Sequence, residues 1–370
     1  MKLLVAAMIA VASTAARADF TDNVIKIGVL NDQSGLYADL AGQGSVDAAK
    51  MAVEEFGGKI GNTPIEVIFA DHQNKPDIGA NIARQWIDVD HVDAIVDVPT
   101  SSVALAVAKV VKEKNKVFLA NGTAKTMVGQ GGKTWFFLTA DYAFGTQLQE
   151  AATKVVEASG GKVVGAVRVP LSTSDFSSYL LQAQNSGAQV LGLANAGNDF
   201  TNSIKAADEF GIGKSMKPAA LLAFISDIHS LGLKTAQGLY LTTGWYWDLN
   251  DKTRAFAKRY YAKTQREPTM NQAGYYSATM TYLNAVKAVG STDSDKVMAE
   301  MKKMKIDDMF TSNGKIRADG LMEHEMYIMQ VKKPEESKAP WDYYRLVQTM
   351  SGEEAFGKLS ESACPLVASH

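Results

Sequence analysis

Cysteine is almost absent. Cys364 is the only thiol in 370 residues, so an internal disulfide is excluded. A chain of this length stabilises itself by burial and needs no such staple. With no His or other base beside it in sequence, Cys364 is expected to be a structural residue near the terminus. A cationic surplus is missing too. Lys and Arg number 38 against 40 Asp and Glu, a formal net charge of −2, which leaves nothing to neutralise a phosphate backbone and argues against nucleic acid as a partner. The five histidines, His72, His91, His229, His324 and His370, show no pairing at metal-ligand spacing. His324, between Glu323 and Glu325, reads as a solvated charged turn. Catalytic signatures are equally scarce. Gly42-Gln43-Gly44 comes well after the first strand and lacks the third glycine of a dinucleotide loop. Gly129 to Lys133 has no Walker ending, and no Gly-x-Ser-x-Gly elbow occurs. Enzymatic activity and a nucleotide or metal cofactor are therefore not expected.

What is present begins at the N-terminus. Met1-Lys2 gives a short positive start, residues 3–12 are uninterruptedly apolar, and Ala16-Arg17-Ala18 offers small residues where a signal peptidase reads. The pattern is that of a secretory leader over residues 1–18, cleaved before Asp19. Its apolar run of about ten residues is too short to span the roughly 30 Å of a membrane interior, and no later segment reaches that length. Export to the periplasm as a soluble protein is the expectation. Hydrophobic residues at 46% and charged residues at 21% supply an ordinary globular core.

Short apolar runs alternate with amphipathic stretches. Strand-like runs fall at 25–30, 65–70, 94–98, 117–120, 135–139, 163–169, 190–194, 219–224 and 239–243, with helical periods such as 43–56, 78–88, 103–113, 146–158, 176–185 and 201–210 between them. Continuous β-rich runs separated by helices of about 10–15 residues indicate parallel sheets covered on both faces. The number of runs is comfortable for two α/β sheets and long for one. After Gly244-Trp245-Tyr246-Trp247 the chain returns to helical patterns at 253–264 and 273–289, which are expected to pack back on the first lobe.

In open parallel sheets ligands bind beyond the carboxyl ends of strands, where helix N-termini face the crevice. The first such loop contains Asp32, Ser34, Gly35 and Tyr37. The third strand runs into Pro99-Thr100-Ser101-Ser102, and the fourth into Asn121-Gly122-Thr123-Ala124. Ser101-Ser102 and Thr123 at helix starts would present hydroxyls with free backbone N–H groups, a setting that suits a carboxylate without Lys or Arg. Each is also an ordinary N-cap residue type.

These loops carry a resemblance. Their order and spacing, continued by Asp141-Tyr142-Ala143-Phe144-Gly145, Pro170 with Asp175-Phe176, Ala196-Gly197-Asn198-Asp199, and Pro268 with Tyr275-Tyr276-Ser277-Ala278, are similar to the branched-chain amino-acid-type solute-binding proteins of bacterial ABC importers. The similarity covers nearly the whole mature chain, although no single motif is specific. It implies the type I periplasmic binding fold, with two Rossmann-like lobes that each have a parallel-sheet core. Lobe 1 is residues 24–139 with 249–322 and lobe 2 is 140–248 with 323–363, joined by three crossovers near 139–140, 246–250 and 321–326. It also implies a monomeric shuttle that closes on a small molecule and serves separate permease and ATPase subunits. Position by position, Ser101 or Ser102, Thr123 and the Gly122 backbone would hold the ligand carboxylate. Phe144 would close on the ligand from lobe 2, and Asn198 would be a further contact there.

One departure bears on the ligand. Amino-acid-binding members place an acid just after the strand that here ends near Phe224, to pair with the ligand ammonium. This chain has Ala223 or Phe224 at that position, with Asp227 a few residues late. An unpaired buried ammonium is strongly disfavoured, so an acid without an amine is the favoured ligand. Tyr37, Tyr142, Phe144, Phe224 and Trp247 would supply walls for an aromatic or branched apolar body. A hydrophobic amino acid, with Asp227 as its partner, is the alternative, and a soluble ligand-sensing component of a signalling system is a third reading.

Overall fold

The computed structural model describes residues 20–113, 117–119, 132–361 and 367. The expected leader, Gly122, Thr123 and Cys364 lie outside the described residues. Strands β1 (Ile25–Asn31), β2 (Lys59–Ile60), β3 (Thr63–Asp71), β4 (Ala94–Val96) and β5 (Val117–Leu119) form one sheet in the order β2-β3-β1-β4-β5. It is parallel except for the β2–β3 hairpin. Central β1 is buried along almost its whole length, as expected where helices α1 (Gly42–Phe56), α2 (Pro76–Asp88) and α3 (Ser101–Glu113) connect successive strands. Gly28 in β1 lies directly under the Trp86 ring of α2. A Cβ there would stand 2.4 Å from Cζ3, so only glycine admits the indole.

The second sheet contains β6 (Thr134–Ala140), β7 (Lys162–Val169), β8 (Val190–Ala194), β9 (Lys217–Ala220) and β10 (Tyr240–Thr243) in parallel. Helices α4 (Ala143–Ala158), α5 (Ser177–Asn185), α6 (Gly197–Glu209), α7 (Ile225–Leu231) and α8 (Leu233–Ala236) link them. The chain then returns to the first lobe as α9 (Asp251–Thr264), α10 (Met270–Val289) and α11 (Ser294–Met301). The small hairpin β11 (Lys315–Ile316) and β12 (Met322–Glu323) follows, and antiparallel β13 (Met326–Val331) and β14 (Tyr344–Met350) extend the second sheet. Both long return helices begin with reciprocal caps, Asn250 with Thr253 and Thr269 with Gln272.

Two expectations need correction. The run 135–139 is not the last strand of lobe 1. As β6 it sits between β7 and β8 in the second sheet, so the first crossover precedes it. The reason is packing on both faces: Phe136 fills the space over Gly165, and Phe137 the space over Gly192. The run 219–224 is also not one strand, since β9 ends at Ala220 and residues 221–224 form a loop into α7. Among the described residues no helix is long and apolar enough to cross a membrane.

At the carboxyl end of β4, Asp97 adopts a left-handed conformation (φ 58°) and is wholly buried. Asn31 donates to its Oδ2, with Ser45 and Tyr275 close by. Burial pushes its carboxyl up to about 7, above the ordinary unfolded value of about 3.9. A group that binds its proton more tightly when folded stabilises the protein below about pH 4, and that contribution is lost as pH rises through about 7. Asn tolerates a left-handed backbone and has no charge to lose. Asp97→Asn is therefore expected to gain stability relative to wild type between pH 4.5 and 8 by at least about 1 kcal/mol, close to one pKa unit. Urea unfolding at the two pH values checks this, and a pH-independent difference would contradict it.

Candidate ligand-binding cleft

The loop that follows β1 is folded by its first acid. Buried Asp32 accepts hydrogen bonds from Gly35 N and Tyr37 N, both at 2.9 Å. A Cβ at Gly35 would lie 2.8 Å from that carboxylate. The loop therefore turns tightly and carries Tyr37, Leu40 and Ala41 across to the other lobe. There they pack into a cluster with Phe144, Ala196, Leu222 and Phe224. The Tyr37 and Tyr142 hydroxyls are hydrogen-bonded across the gap, and Tyr142 is the N-cap residue of α4. Burial, with the nearby Asp199 carboxylate adding to it, raises both phenols, so they stay protonated. Gly197 at the start of α6 makes the approach possible. Its φ is +60°, and an added Cβ would stand 2.5 Å from the Leu36 carbonyl oxygen.

A cavity of about 630 Å³, counting its open mouth, lies between the lobes. Lobe 1 contributes Tyr37, Leu40 and Pro99. The second sheet's loops contribute Tyr142, Phe144, Ala196, Leu222 and Phe224. The crossing and returning segments add Gly244, Met270, Asn271, Phe310, His324 and Met326. No Asp or Glu is among these described lining residues. The wall is mostly carbon, with two phenols, one amide and one imidazole.

The sequence-derived candidates separate clearly. Tyr37, Tyr142, Phe144 and Phe224 line the cavity together. Ser101 and Ser102 open α3 just after Pro99 and are half-buried, outside the described lining. Neighbouring Thr100 is buried, with a hydroxyl that makes no hydrogen bond. Asn198 is exposed, because the first turn of α6 rotates it outward and leaves Ala196 on the wall. Trp247 is turned away as well. Its indole N–H donates to the Trp341 carbonyl at 2.9 Å, and its ring packs against the cores of both lobes. Asp227 does not reach the cavity. Its Oδ2 accepts from Phe224 N at 2.8 Å, closing the N-terminus of its own helix, and burial raises its carboxyl to about 7.

His324 is the clearest surprise. The solvated charged turn expected there is instead a buried imidazole on the cavity wall, only 8% exposed. Its charged neighbours concealed it, since period-2 alternation in a short segment sends neighbouring side chains to opposite sides. Met270, Asn271 and Phe310 gave no local signal at all, because only the return of the chain brings them to the gap.

With this geometry in view, the comparisons with known proteins are direct. The family model described as "Periplasmic binding protein" matches residues 24–126 and 119–338, and the chain belongs to that family. These are ligand-binding proteins of ABC transporters; they are not enzymes and act outside the cytoplasm. A periplasmic binding protein from Burkholderia mallei is 53% identical, with TM-score 0.90, covering 93% of this chain and 99% of that one. A branched chain amino acid ABC transporter periplasmic ligand-binding protein from Burkholderia xenovorans LB400 is 42% identical, with TM-score 0.81 over 93% of this chain and 100% of that one. A solute binding protein from R. palustris, solved in complex with 4-hydroxybenzoate, is 22% identical with TM-score 0.80, over 89% of this chain and 97% of that one. At that identity it shows the shared fold alone.

Gly197→Ala places a methyl against Leu36 and strains a left-handed backbone. The variant is expected to hold the lobes apart: small-angle scattering in the presence of saturating ligand should give a larger radius of gyration than wild type, and affinity should fall at least about tenfold, or 1.4 kcal/mol. Unchanged affinity and radius would show that the loop contact is dispensable.

Proposed function

We propose that this protein captures a small organic acid that lacks an amine, with an aromatic or branched apolar body, and delivers it as a monomer to the permease and ATPase of an ABC importer. In this reading the carboxylate is held at the start of α3 by Ser101 or Ser102, with Thr123 and the Gly122 backbone completing the grip. A helix start carries partial positive charge and unsatisfied N–H groups, which stabilise an anion without a basic side chain. Tyr37, Tyr142, Phe144 and Phe224 enclose the apolar body. Closing the lobes excludes water and strengthens each polar contact, and the ligand shifts the lobes toward the closed arrangement by its higher affinity for it.

The observation that carries this reading is the absence of a counter-ion for an ammonium. Among the described residues no acid lines the cavity, and Asp227, the acid nearest the family position, is committed to its own helix. A hydrogen bond to a charged group contributes about 1.5–3 kcal/mol, so an amino acid forfeits at least about tenfold in affinity here.

A branched-chain amino acid is the second reading, favoured by one feature besides the name of the Burkholderia xenovorans relative. Asp199 is buried near Tyr37 and Tyr142, one of its oxygens makes no hydrogen bond, and burial holds its carboxyl up at about 6. An ammonium drawn between the phenols would favour its ionised form.

Calorimetry with leucine, 4-methylpentanoate (leucine without its amine) and benzoate separates the two. At least tenfold tighter binding of an amine-free acid than of leucine is expected; the reverse order, abolished by Asp199→Asn, would establish the amino-acid reading. Ser101→Ala with Ser102→Ala is expected to weaken the bound acid by about 10–100-fold, with the unfolding midpoint unchanged. Unaltered affinity would move the carboxylate elsewhere.

A further inference from the structure

We infer that His324 selects the ligand by accepting a hydrogen bond from a hydroxyl on it, so that the cleft prefers a hydroxylated aromatic acid to its unsubstituted counterpart. This rests on the amine-free reading above and narrows it.

The inference starts from which nitrogen carries the hydrogen. His324 Nδ1 lies 2.7 Å from the Glu325 backbone carbonyl oxygen. A carbonyl only accepts, so Nδ1 must be the donor, and in the neutral ring Nε2 then carries a bare lone pair. Burial disfavours a second proton, outweighing the opposite pull of Glu325. With Nδ1 engaged by its own chain, Nε2 is the imidazole's one polar atom left for the cleft.

The ring is also fixed. Phe310 and Phe356 meet it edge-on, each with centroids 5.0 Å away, at 72° and 62°. Gly244 closes the remaining side, where a Cβ would come to 3.0 Å from His324 Cε1. A ring flip would break the Glu325 bond inside this aromatic frame.

The other polar side chains on the wall are the two phenols, which bond to each other, and the Asn271 amide. A site built around a buried acceptor penalises a ligand that leaves it unpaired. A hydroxyl satisfies Nε2; a plain ring desolvates it without return.

Calorimetric titration of the full chain with benzoate, 3-hydroxybenzoate and 4-hydroxybenzoate tests this, since the acids differ only by one hydroxyl. One hydroxy isomer is expected to bind at least about tenfold tighter than benzoate. His324→Phe should bring that ratio to about one, and His324→Gln, which restores an acceptor, should recover part of it. Equal binding of all three by wild type overturns the inference alone. A ratio that survives His324→Phe, with every affinity lowered alike, also overturns it and leaves His324 a packing residue. Binding of leucine with no benzoate bound removes this inference together with the amine-free reading.

Discussion

The contact on which the rest of the molecule depends is the seating of one loop across the gap between lobes. Residues 32–41 leave the first sheet, yet Tyr37, Leu40 and Ala41 bury themselves among side chains of the second. Three local facts make this possible: Asp32 folds the loop, Gly197 removes the methyl group that would block Leu36, and the Tyr37 and Tyr142 hydroxyls satisfy each other. Burying a phenol without a partner is unfavourable, so this pairing is what allows two polar rings to close an otherwise apolar cavity. The loop contact thus joins the wall residues contributed by the two lobes.

The treatment of charge around the gap follows the same logic. Asp32, Asp97, Asp199 and Asp227 all lie at or near carboxyl ends of strands, and all are buried. None is on the cavity wall. Asp32, Asp199 and Asp227 accept from backbone N–H groups and so shape a turn or a helix start, while Asp97 accepts from the Asn31 side chain. Burial raises Asp97 and Asp227 to about 7 and Asp199 to about 6, which reduces the negative charge that an anionic ligand would meet. Asp97 and Asp227, which elsewhere would repel a carboxylate, serve here as partly neutral scaffolding.

How much of this was legible in the sequence depended on whether the signal was local. The β1 run and the helices after it were visible, because burial on both faces leaves a stretch that is apolar apart from Lys26. The aromatics of the wall were visible as residue types after strands. Sheet membership was not. The run 135–139 looks the same in either lobe, and only Gly165 and Gly192, which make room for Phe136 and Phe137, settle its place. Side-chain direction was also hidden. Asn198 and Ala196 lie two residues apart, and the first turn of α6 decides which of them faces the cavity. His324 was misread because its flanking glutamates suggested solvent, whereas Phe310, Phe356 and Gly244 approach from distant parts of the chain.

The crossing after β10 shows how closure and recognition can share a few residues. Trp245 belongs to the lobe 1 core, and its indole N–H donates to Met309 O at 3.0 Å. Tyr246 belongs to the lobe 2 core, with its hydroxyl on the Trp341 carbonyl, which Trp247 also reaches. Consecutive aromatics are thus anchored in opposite bodies. Side chains gripped this tightly are held in place, because packed cores resist continuous deformation. The peptide between Trp245 and Tyr246 therefore joins two separately anchored side chains. Gly244 stands one residue before them, on the cavity wall beside His324. In the proposed reading, a ligand that engages the imidazole binds beside this doubly anchored crossing.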